Sequence, residues 1–314
     1  MECLPTEADD QVVVALAEEQ LLATSESGLD SLKMKQEAMK IFVSKITCGN
    51  DRLIVITSGG TTVPIERNTV RFIDNFSTGV RGARLAEFFL QQQDYRVLFL
   101  YRSGSAFPIL HRIVKSDDPM GSLASFTSPN YSKAHSGRIN DPSRFLPIPF
   151  TQVFEYILLL RSAVKACLPL RHRASLCLAA AVSDFYVPVR LMPNHKMQSR
   201  SEDENAVSLR LENVPKCLEL IKKRWNPLVF TLSFKLETDE TKLVHKVMDS
   251  FRVNQIDAVL ANLLQSRYSE VHVYSNNGET KDTLTAESTL EELESSRIGP
   301  LFLKLHQEYF LQNS

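Results

Sequence analysis

The fold is decided by the segment LIVITSGGT, residues 53–61. Its first part, Leu53–Thr57, is a short run rich in β-branched residues, which is typical of a strand buried on both faces of a parallel sheet. Gly59 and Gly60 follow at once, so the chain must turn where the strand ends. The segment therefore predicts a buried strand followed by a tight turn.

Helix-like and strand-like segments alternate on both sides of this turn. Upstream, apolar residues recur at helical spacing from Leu29 to Ile46, after a polar, acidic stretch over 1–28 that predicts a tail or a loose helix. Downstream, the pattern predicts helices over 79–93, 150–167, 215–223, 240–252 and 290–307, and strands over 95–101, 175–182, 207–211, 228–234, 258–260 and 271–274. This alternation predicts an α/β fold: a mainly parallel sheet with helices on both faces.

The predicted organisation is an N-terminal tail and helix over 1–50 and a single domain over 51–314. Within that domain, 110–150 is predicted to be a long surface loop, because residues 114–145 hold Ser, Asp, Pro and Gly with few apolar positions.

Composition and charge exclude several classes of protein. The 314 residues carry a net charge of −1 and no long Lys/Arg block, so we expect no nucleic-acid partner. No apolar run approaches the roughly 18 residues that a membrane helix needs, and the start of the chain does not resemble a signal peptide. The 5 cysteines show no CxxC spacing, so neither a disulfide framework nor a metal site is predicted. We therefore expect a cytoplasmic protein without a membrane partner.

Two glycine-rich segments favour a nucleotide site. They are TSGGT at 57–61 and DNFSTGVRG at 74–82, the second just ahead of a helix that Ser77 or Thr78 would cap. Backbone amides in such segments bind phosphate groups, although each segment alone is also compatible with a turn that binds nothing. Neither segment has the spacing of a P-loop, and the first lacks the G-x-G-x-x-G fingerprint of NAD-binding proteins.

Other strand ends also carry polar residues, where ligands of parallel sheets bind. Asp184 follows the small residues of LAAAVS, and Lys196 lies in a proline-containing loop. Phe234 is suited to stack on a base, and Asn262 to bond a base or ribose. Taken singly, each residue has a structural alternative. A turn carboxylate is the weaker interpretation of Asp184, whereas a solvent-exposed lysine, a core Phe and a turn Asn are the better interpretations of Lys196, Phe234 and Asn262.

In order, the segments TSGGT, RFIDNFSTGVRGA, LYRSGSAFP, LAAAVSDFYVP, HKMQS, SFKLETD and LAN resemble the eukaryotic-type phosphopantothenate–cysteine ligase (phosphopantothenoylcysteine synthetase) family. The resemblance extends from about Leu53 to Tyr274 and implies a Rossmann-like sheet with a small strand flap used in dimerisation, hence a homodimer. It also implies a reaction of coenzyme A biosynthesis. The family joins 4′-phosphopantothenate and L-cysteine through an acyl-adenylate, with release of AMP and pyrophosphate.

The resemblance also assigns roles to individual residues. Asn75 would hold the acyl-nucleotide intermediate, and Lys196 would lie against the triphosphate and the activated acyl group. The residues that would bind the nucleotide are Gly59, Ser77, Gly79, Gly82, Phe234 and Asn262. Those that would contact the substrate are Ala180, Ala181, Asp184 and, for its phosphate, Arg71, acting in its own protomer or in the neighbouring one. ATP with Mg²⁺ is the implied co-substrate, with CTP left open, and we expect no flavin.

Two other functions remain open from the sequence. One is a nucleotide-binding module of the same fold without ligase activity, against which the presence of Asn75, Asp184 and Lys196 argues. The other is a nicotinamide-dependent oxidoreductase, which would need the dinucleotide fingerprint that the first turn lacks.

Overall fold

The computed structural model describes residues 7–25, 27–46, 51–114, 116–127, 138–197, 208–266, 269–275, 278–285 and 292–313. The longer α-helices are α1 (Glu7–Thr24), α2 (Gly28–Ser44), α3 (Val80–Gln91), α4 (Leu110–Val114), α5 (Pro119–Thr127), α6 (Val153–Ala166), α7 (Glu240–Arg252) and α8 (Gly299–Asn313). The strands are β1 (Arg52–Ser58), β2 (Thr62–Pro64), β3 (Phe72–Asp74), β4 (Tyr95–Arg102), β5 (Phe145–Phe150), β6 (Ala174–Leu178), β7 (Phe185–Tyr186), β8 (Glu212–Asn213), β9 (Phe230–Glu237), β10 (Ala258–Leu263), β11 (Glu270–Ser275) and β12 (Thr280–Thr285). Shorter or irregular helical turns cover Leu168–Arg173, Val189–Leu191, Leu218–Leu220, Ile221–Trp225 and Glu292–Ile298.

One eight-stranded sheet organises the chain, in the order β12-β11-β10-β9-β6-β1-β4-β5. Six neighbouring strands, in the order β10, β9, β6, β1, β4 and β5, run parallel to one another, and β11 and β12 add two antiparallel strands at one edge. The chain moves from β1 to β4 and β5 on one side, then returns to place β6, β9 and β10 on the other side. The predicted mainly parallel α/β fold is confirmed. In such a sheet, ligands bind where the strand order reverses, here beside the end of β1.

The two faces of the sheet are covered by different helices. Leu53 and Val55 of β1 pack into a core shared with α1, α2 and α6, whereas Ile54 and Ile56 pack on the opposite face with α3 and α8. Successive side chains of a strand point to opposite faces, so a strand that is covered on both must be apolar throughout. Each such side chain contributes about 1.5–3 kcal/mol on full burial. Helices on both faces, as predicted, therefore explain the LIVI run.

Helix α1 is held to the rest of the chain by Asp10. The buried carboxylate accepts hydrogen bonds from Arg161 (2.8 and 2.7 Å), Lys165 (3.0 Å) and Trp225 Nε1 (2.8 Å). These donors, Arg161 foremost, hold the pKa of Asp10 well below its ordinary range, although burial by itself would raise it. The stretch over 1–28 thus contains an anchored helix rather than a loose one. The division of the chain at residue 50 stays a prediction.

The prediction of a surface loop over 110–150 is wrong at both ends of that range. Helices α4 and α5 occupy its first part, and its last residues form β5, which pairs in parallel with β4. The two prolines of FLPIPF conceal this strand, but proline is tolerated at the edge of a sheet because one side of an edge strand needs no partner. Residues 128–137 lie outside the described residues.

Other short elements also differ from the prediction. The prediction of a strand over 207–211 is wrong for 208–211, because these residues are irregular. Val207 lies outside the described residues. Instead, β8 follows and forms a two-stranded ribbon with β7. The strand predicted over 175–182 ends at Leu178, where the chain opens into a loop. The use of a strand flap in dimerisation stays a prediction. Within the described part of the chain, no helix has the length and apolar character needed to cross a bilayer.

Candidate functional site

The turn after β1 is joined directly to the loop after β6. Ala181 N donates to Gly59 O (2.8 Å), and Thr61 N donates to Ala181 O (3.0 Å). Thr57 Oγ1 accepts a hydrogen bond from Ala180 N (3.1 Å). These bonds extend the pairing of the two strands beyond their ends. Gly59, predicted for the nucleotide, therefore lies against Ala180 and Ala181, predicted for the substrate.

Asn75 lies on the same turn. Its backbone N–H donates to Thr61 O (3.0 Å), and its own carbonyl passes directly over Gly60. A Cβ on residue 60 would lie 1.7 Å from Asn75 O, so only glycine permits this approach. The structure therefore brings the half-buried Asn75 to the junction of the two predicted sites.

The N-terminus of α3 completes this cluster, but Ser77 and Thr78 do not cap it. Gly79 is the N-cap residue, with φ 76°, and no side chain makes a capping hydrogen bond. Ser58 Oγ donates to Gly79 O (2.9 Å), and Gly82 packs against Ser58 in the first turn of the helix. Ser77 Oγ instead accepts a hydrogen bond from Gly79 N (3.4 Å). A helix N-terminus at the end of β1 is suited to bind an anion through its first-turn amides.

Phe234 and Asn262 meet around Arg81, which sequence patterns did not single out. The Arg81 guanidinium lies 4.9 Å from the centre of the Phe234 ring and also donates to Glu294 (2.9 Å) and to Asn262 Oδ1 (3.4 Å). Asn262 is 1% exposed, and its side-chain N–H donates to Glu270 O (2.6 Å). A base that stacks here must pack against the Arg81–Phe234 pair or displace the arginine, and Asn262 must exchange an internal hydrogen bond to reach it.

Asp184 faces a lysine that received no role from the sequence. Asp184 is exposed, and its carbonyl accepts a hydrogen bond from Val214 N (2.9 Å) beside the β7–β8 ribbon. Burial lowers the pKa of Lys235 on β9, as do the positive charges of Lys246 and Lys216, while the negative charge of Asp184 opposes the shift. A lysine near the end of a strand whose first residues are buried was the signal available for Lys235. The partial burial of its side chain depends on the packed sheet.

Arg71 and Lys196 lie on two loops that a third missed residue, Glu66, joins. Arg71 donates to Glu66 Oε1 from Nε (3.0 Å) and Nη2 (2.7 Å), and Met197 N donates to the same oxygen (3.0 Å). These hydrogen bonds, that from Met197 foremost, hold the pKa of Glu66 below its ordinary range. The Lys196 side chain is exposed. The structure thus joins the Arg71 loop to the backbone directly after Lys196.

Comparison with known proteins decides the family. The model of the DNA/pantothenate metabolism flavoprotein C-terminal domain matches residues 160–297. The chain is 39% identical to the human phosphopantothenate–cysteine ligase over 267 residues, which cover 80% of this chain and 85% of the relative. It belongs to the phosphopantothenate–cysteine ligase family. The ligase CAB2 of Saccharomyces cerevisiae is 33% identical over 288 residues, covering 83% and 78% of the two chains.

Solved structures agree with this membership. A mutant of Cab2 superposes with a TM-score of 0.76 at 31% identity, covering 95% of this chain and 99% of the other. A second structure, of a Cab2 mutant in complex with phosphopantothenate-cysteine, superposes with a TM-score of 0.75. A Streptococcus pneumoniae flavoprotein shares the fold, with a TM-score of 0.58 at 23% identity. The resemblance carried by the motifs is confirmed, and the chain is an enzyme of the phosphopantothenate–cysteine ligase family. Neither the inactive module nor the oxidoreductase is favoured.

Proposed function

We propose that this chain joins 4′-phosphopantothenate to L-cysteine, giving 4′-phosphopantothenoylcysteine for coenzyme A biosynthesis. The observation that carries the proposal is the cluster at the end of β1. There the uncapped N-terminus of α3, the Asn75 segment and the Ala180–Asp184 loop come together. One place can thus receive phosphates, an activated acyl group and the arm of a carboxylic acid. The relatives' names and the product-bound Cab2 mutant support the same reaction.

The chemistry requires activation of the carboxylate. In the proposed first step, a carboxylate oxygen attacks the α-phosphorus of the nucleotide, and the bond to pyrophosphate breaks. In the second step, the amine of cysteine attacks the acyl carbon, the bond to AMP breaks, and the amine loses a proton. Negative charge develops first on phosphate oxygens and then on the acyl oxygen, so fixed donors at both places lower the barriers.

The nucleotide is proposed to bind along α3 and the last strands of the parallel sheet. Its phosphates would meet the first-turn amides of α3, and its base would meet the Arg81–Phe234 pair. The proposed nucleotide-binding residues are Gly59, Ser77, Gly79, Gly82, Phe234 and Asn262. Gly82 acts indirectly in this proposal, because it lets α3 pack closely on Ser58.

The acyl group is proposed to lie between Asn75 and Lys196. The side-chain N–H groups of Asn75 would donate to the developing oxyanion, and Lys196 would neutralise phosphate charge. Ala180, Ala181 and Asp184 would contact the pantothenate arm. Arg71 would bind the terminal phosphate in this protomer or in the partner of a homodimer. Holding the two reactants together supplies much of the remaining rate enhancement.

ATP is the proposed nucleotide, with CTP as the alternative. Among the residues that the structure describes, no three His, Cys, Asp or Glu side chains converge as metal ligands. Mg²⁺ would therefore be held mainly by the nucleotide phosphates, which suits its preference for phosphate and water ligands. When bound, the ion supplies neutralising charge for the triphosphate. The proposal includes no flavin, and it places the reaction in the cytoplasm.

Steady-state release of pyrophosphate tests the proposal. The purified chain should release pyrophosphate continuously only when phosphopantothenate, L-cysteine, Mg²⁺ and ATP or CTP are all present. Omission of each component and exchange of the nucleotide are the controls. Continuous release without phosphopantothenate, or none with the full mixture, would contradict the proposed function.

A further inference from the structure

Glu66 is a fully buried carboxylate in the turn between β2 and β3, with five hydrogen-bond donors. Its Oε1 atom accepts from Arg71 Nε, Arg71 Nη2 and Met197 N. Its Oε2 atom accepts from the backbone N–H groups of Val70 (3.2 Å) and Arg71 (3.3 Å). Four of these donors belong to the turn itself, and the fifth, Met197 N, joins the turn to another loop.

The second loop is held through both polar backbone groups of Met197. Its N–H donates to Glu66, and its carbonyl accepts a hydrogen bond from Arg71 Nη2 (2.5 Å). The Arg71 side chain nevertheless stays 40% exposed, which leaves part of the guanidinium open to a ligand. Glu66 therefore fixes the orientation of Arg71 without burying it.

Lys196 lies within the segment that this arrangement restrains. Arg67 N donates to Pro193 O (3.0 Å) and Asn68 N donates to Asn194 O (3.1 Å), so backbone contacts hold the chain ahead of Lys196. The Met197 contacts hold it immediately afterwards. With Asn194 and Met197 both held, the direction in which the Lys196 side chain leaves the backbone is set by the turn that contains Glu66.

We propose that Glu66 is a positioning residue for the ligase reaction. One carboxylate orients Arg71, the proposed phosphate ligand, and the backbone that presents Lys196 to the reacting groups. Burying a carboxylate costs free energy unless it is fully hydrogen-bonded. An apolar residue at this position would stabilise a simple turn equally well, so the carboxylate indicates a role beyond the turn. This inference rests on the proposed function of Lys196 and Arg71.

A double-mutant cycle on turnover tests it. Glu66→Gln keeps the size of the side chain but replaces one acceptor oxygen with an NH₂ group that faces N–H donors. We expect kcat to fall by about 10²-fold, the effect of a misplacement of about 1 Å, with the KM for ATP unchanged. In a Lys196→Ala background the same substitution should lower kcat less than about threefold, because coupled residues are not additive. If Glu66→Gln lowers kcat by the same factor in both backgrounds, so that the effects of the two substitutions multiply, the inference is overturned.

Tryptic cleavage after Lys196 gives a readout that does not depend on activity. Glu66→Gln should increase the rate of cleavage of the native full-length chain at this bond by about tenfold or more, as measured by mass spectrometry. This follows because cleavage tracks local opening. The matched control is Glu87→Gln, another buried carboxylate that accepts from an arginine, Arg112, and from a backbone N–H, that of Ile109.

The control should leave the cleavage rate, and the turnover in both backgrounds, unchanged. An unchanged cleavage rate in Glu66→Gln would refute the positioning role. A wild-type chain that releases no pyrophosphate would instead refute the proposed function, while the cleavage experiment would still test the Glu66 contacts.

Discussion

Gly60→Ala should impair turnover far more than it impairs stability. The new Cβ would lie 1.7 Å from the carbonyl oxygen of Asn75. Carbon and oxygen atoms in contact are about 3.3–3.6 Å apart, so the two segments must separate by roughly 1.5–2 Å. Because a misplacement of about 1 Å costs about 10²-fold, we expect kcat to fall by about 10²-fold or more. Overpacking at one position costs about 1–3 kcal/mol, which the fold should tolerate.

The assay is pyrophosphate release at saturating substrates, together with urea unfolding followed by the fluorescence of Trp225, the sequence's only tryptophan. Gly104→Ala is the matched control. Gly104 has φ 84°, and a Cβ there would meet nothing within 4 Å. It should lower stability by about 1–2 kcal/mol through backbone strain and leave turnover unchanged. A folded Gly60→Ala variant with wild-type turnover would refute the reasoning that the Asn75 segment must lie closely on this turn.

Three further predictions concern single side chains. Asn75→Ala should lower turnover by about 10²-fold, as for other lost oxyanion donors, with the nucleotide Kd from calorimetry unchanged; wild-type turnover would remove Asn75 from the mechanism. Lys235→Met should stabilise the fold, because burial lowers the pKa of this lysine, yet should also reduce turnover; unchanged turnover would make Lys235 a structural residue only. Asp10→Asn should destabilise the chain by about 3 kcal/mol at neutral pH, the cost of breaking a buried ion pair. Since the folded pKa of Asp10 lies below its unfolded value of about 3.9, its charge stabilises the fold above that pH and loses this effect as the pH falls. The difference between wild-type and variant urea midpoints should therefore narrow below about pH 4, and a constant difference would contradict the assignment.

Local sequence predicted the elements whose own periodicity is strong. The apolar run at 53–57 and the amphipathic α7 are examples, because their patterns follow directly from burial on two faces or on one. The misses have non-local causes. Strand β5 depends on β4 for its pairing and contains prolines, and the two-residue strands β7 and β8 exist only as partners of each other. No local pattern indicates such pairings.

Motif resemblance named most of the candidate site, and the fold brings Gly59, Asn75, Gly79, Ala180 and Ala181 to one place. Their roles stay predictions. The sequence could not predict which polar side chains are buried or which hydrogen bonds they form. The internal hydrogen bonds of Asn262, the full burial of Glu66 and the partial burial of Lys235 arise from residues distant along the chain. Charged residues in buried positions become visible only once the packing is known.

A crystal structure with ATP, Mg²⁺ and phosphopantothenate, in the absence of cysteine, tests the central claim most directly. We expect an acyl-adenylate at the carboxyl end of β1, with its acyl oxygen within hydrogen-bond distance of the Asn75 amide, its phosphate at the first turn of α3 and its pantothenate arm beside Asp184. Density for the intermediate elsewhere, or a bound nucleotide with Asn75 and Asp184 both directed away from it, would refute the proposed site.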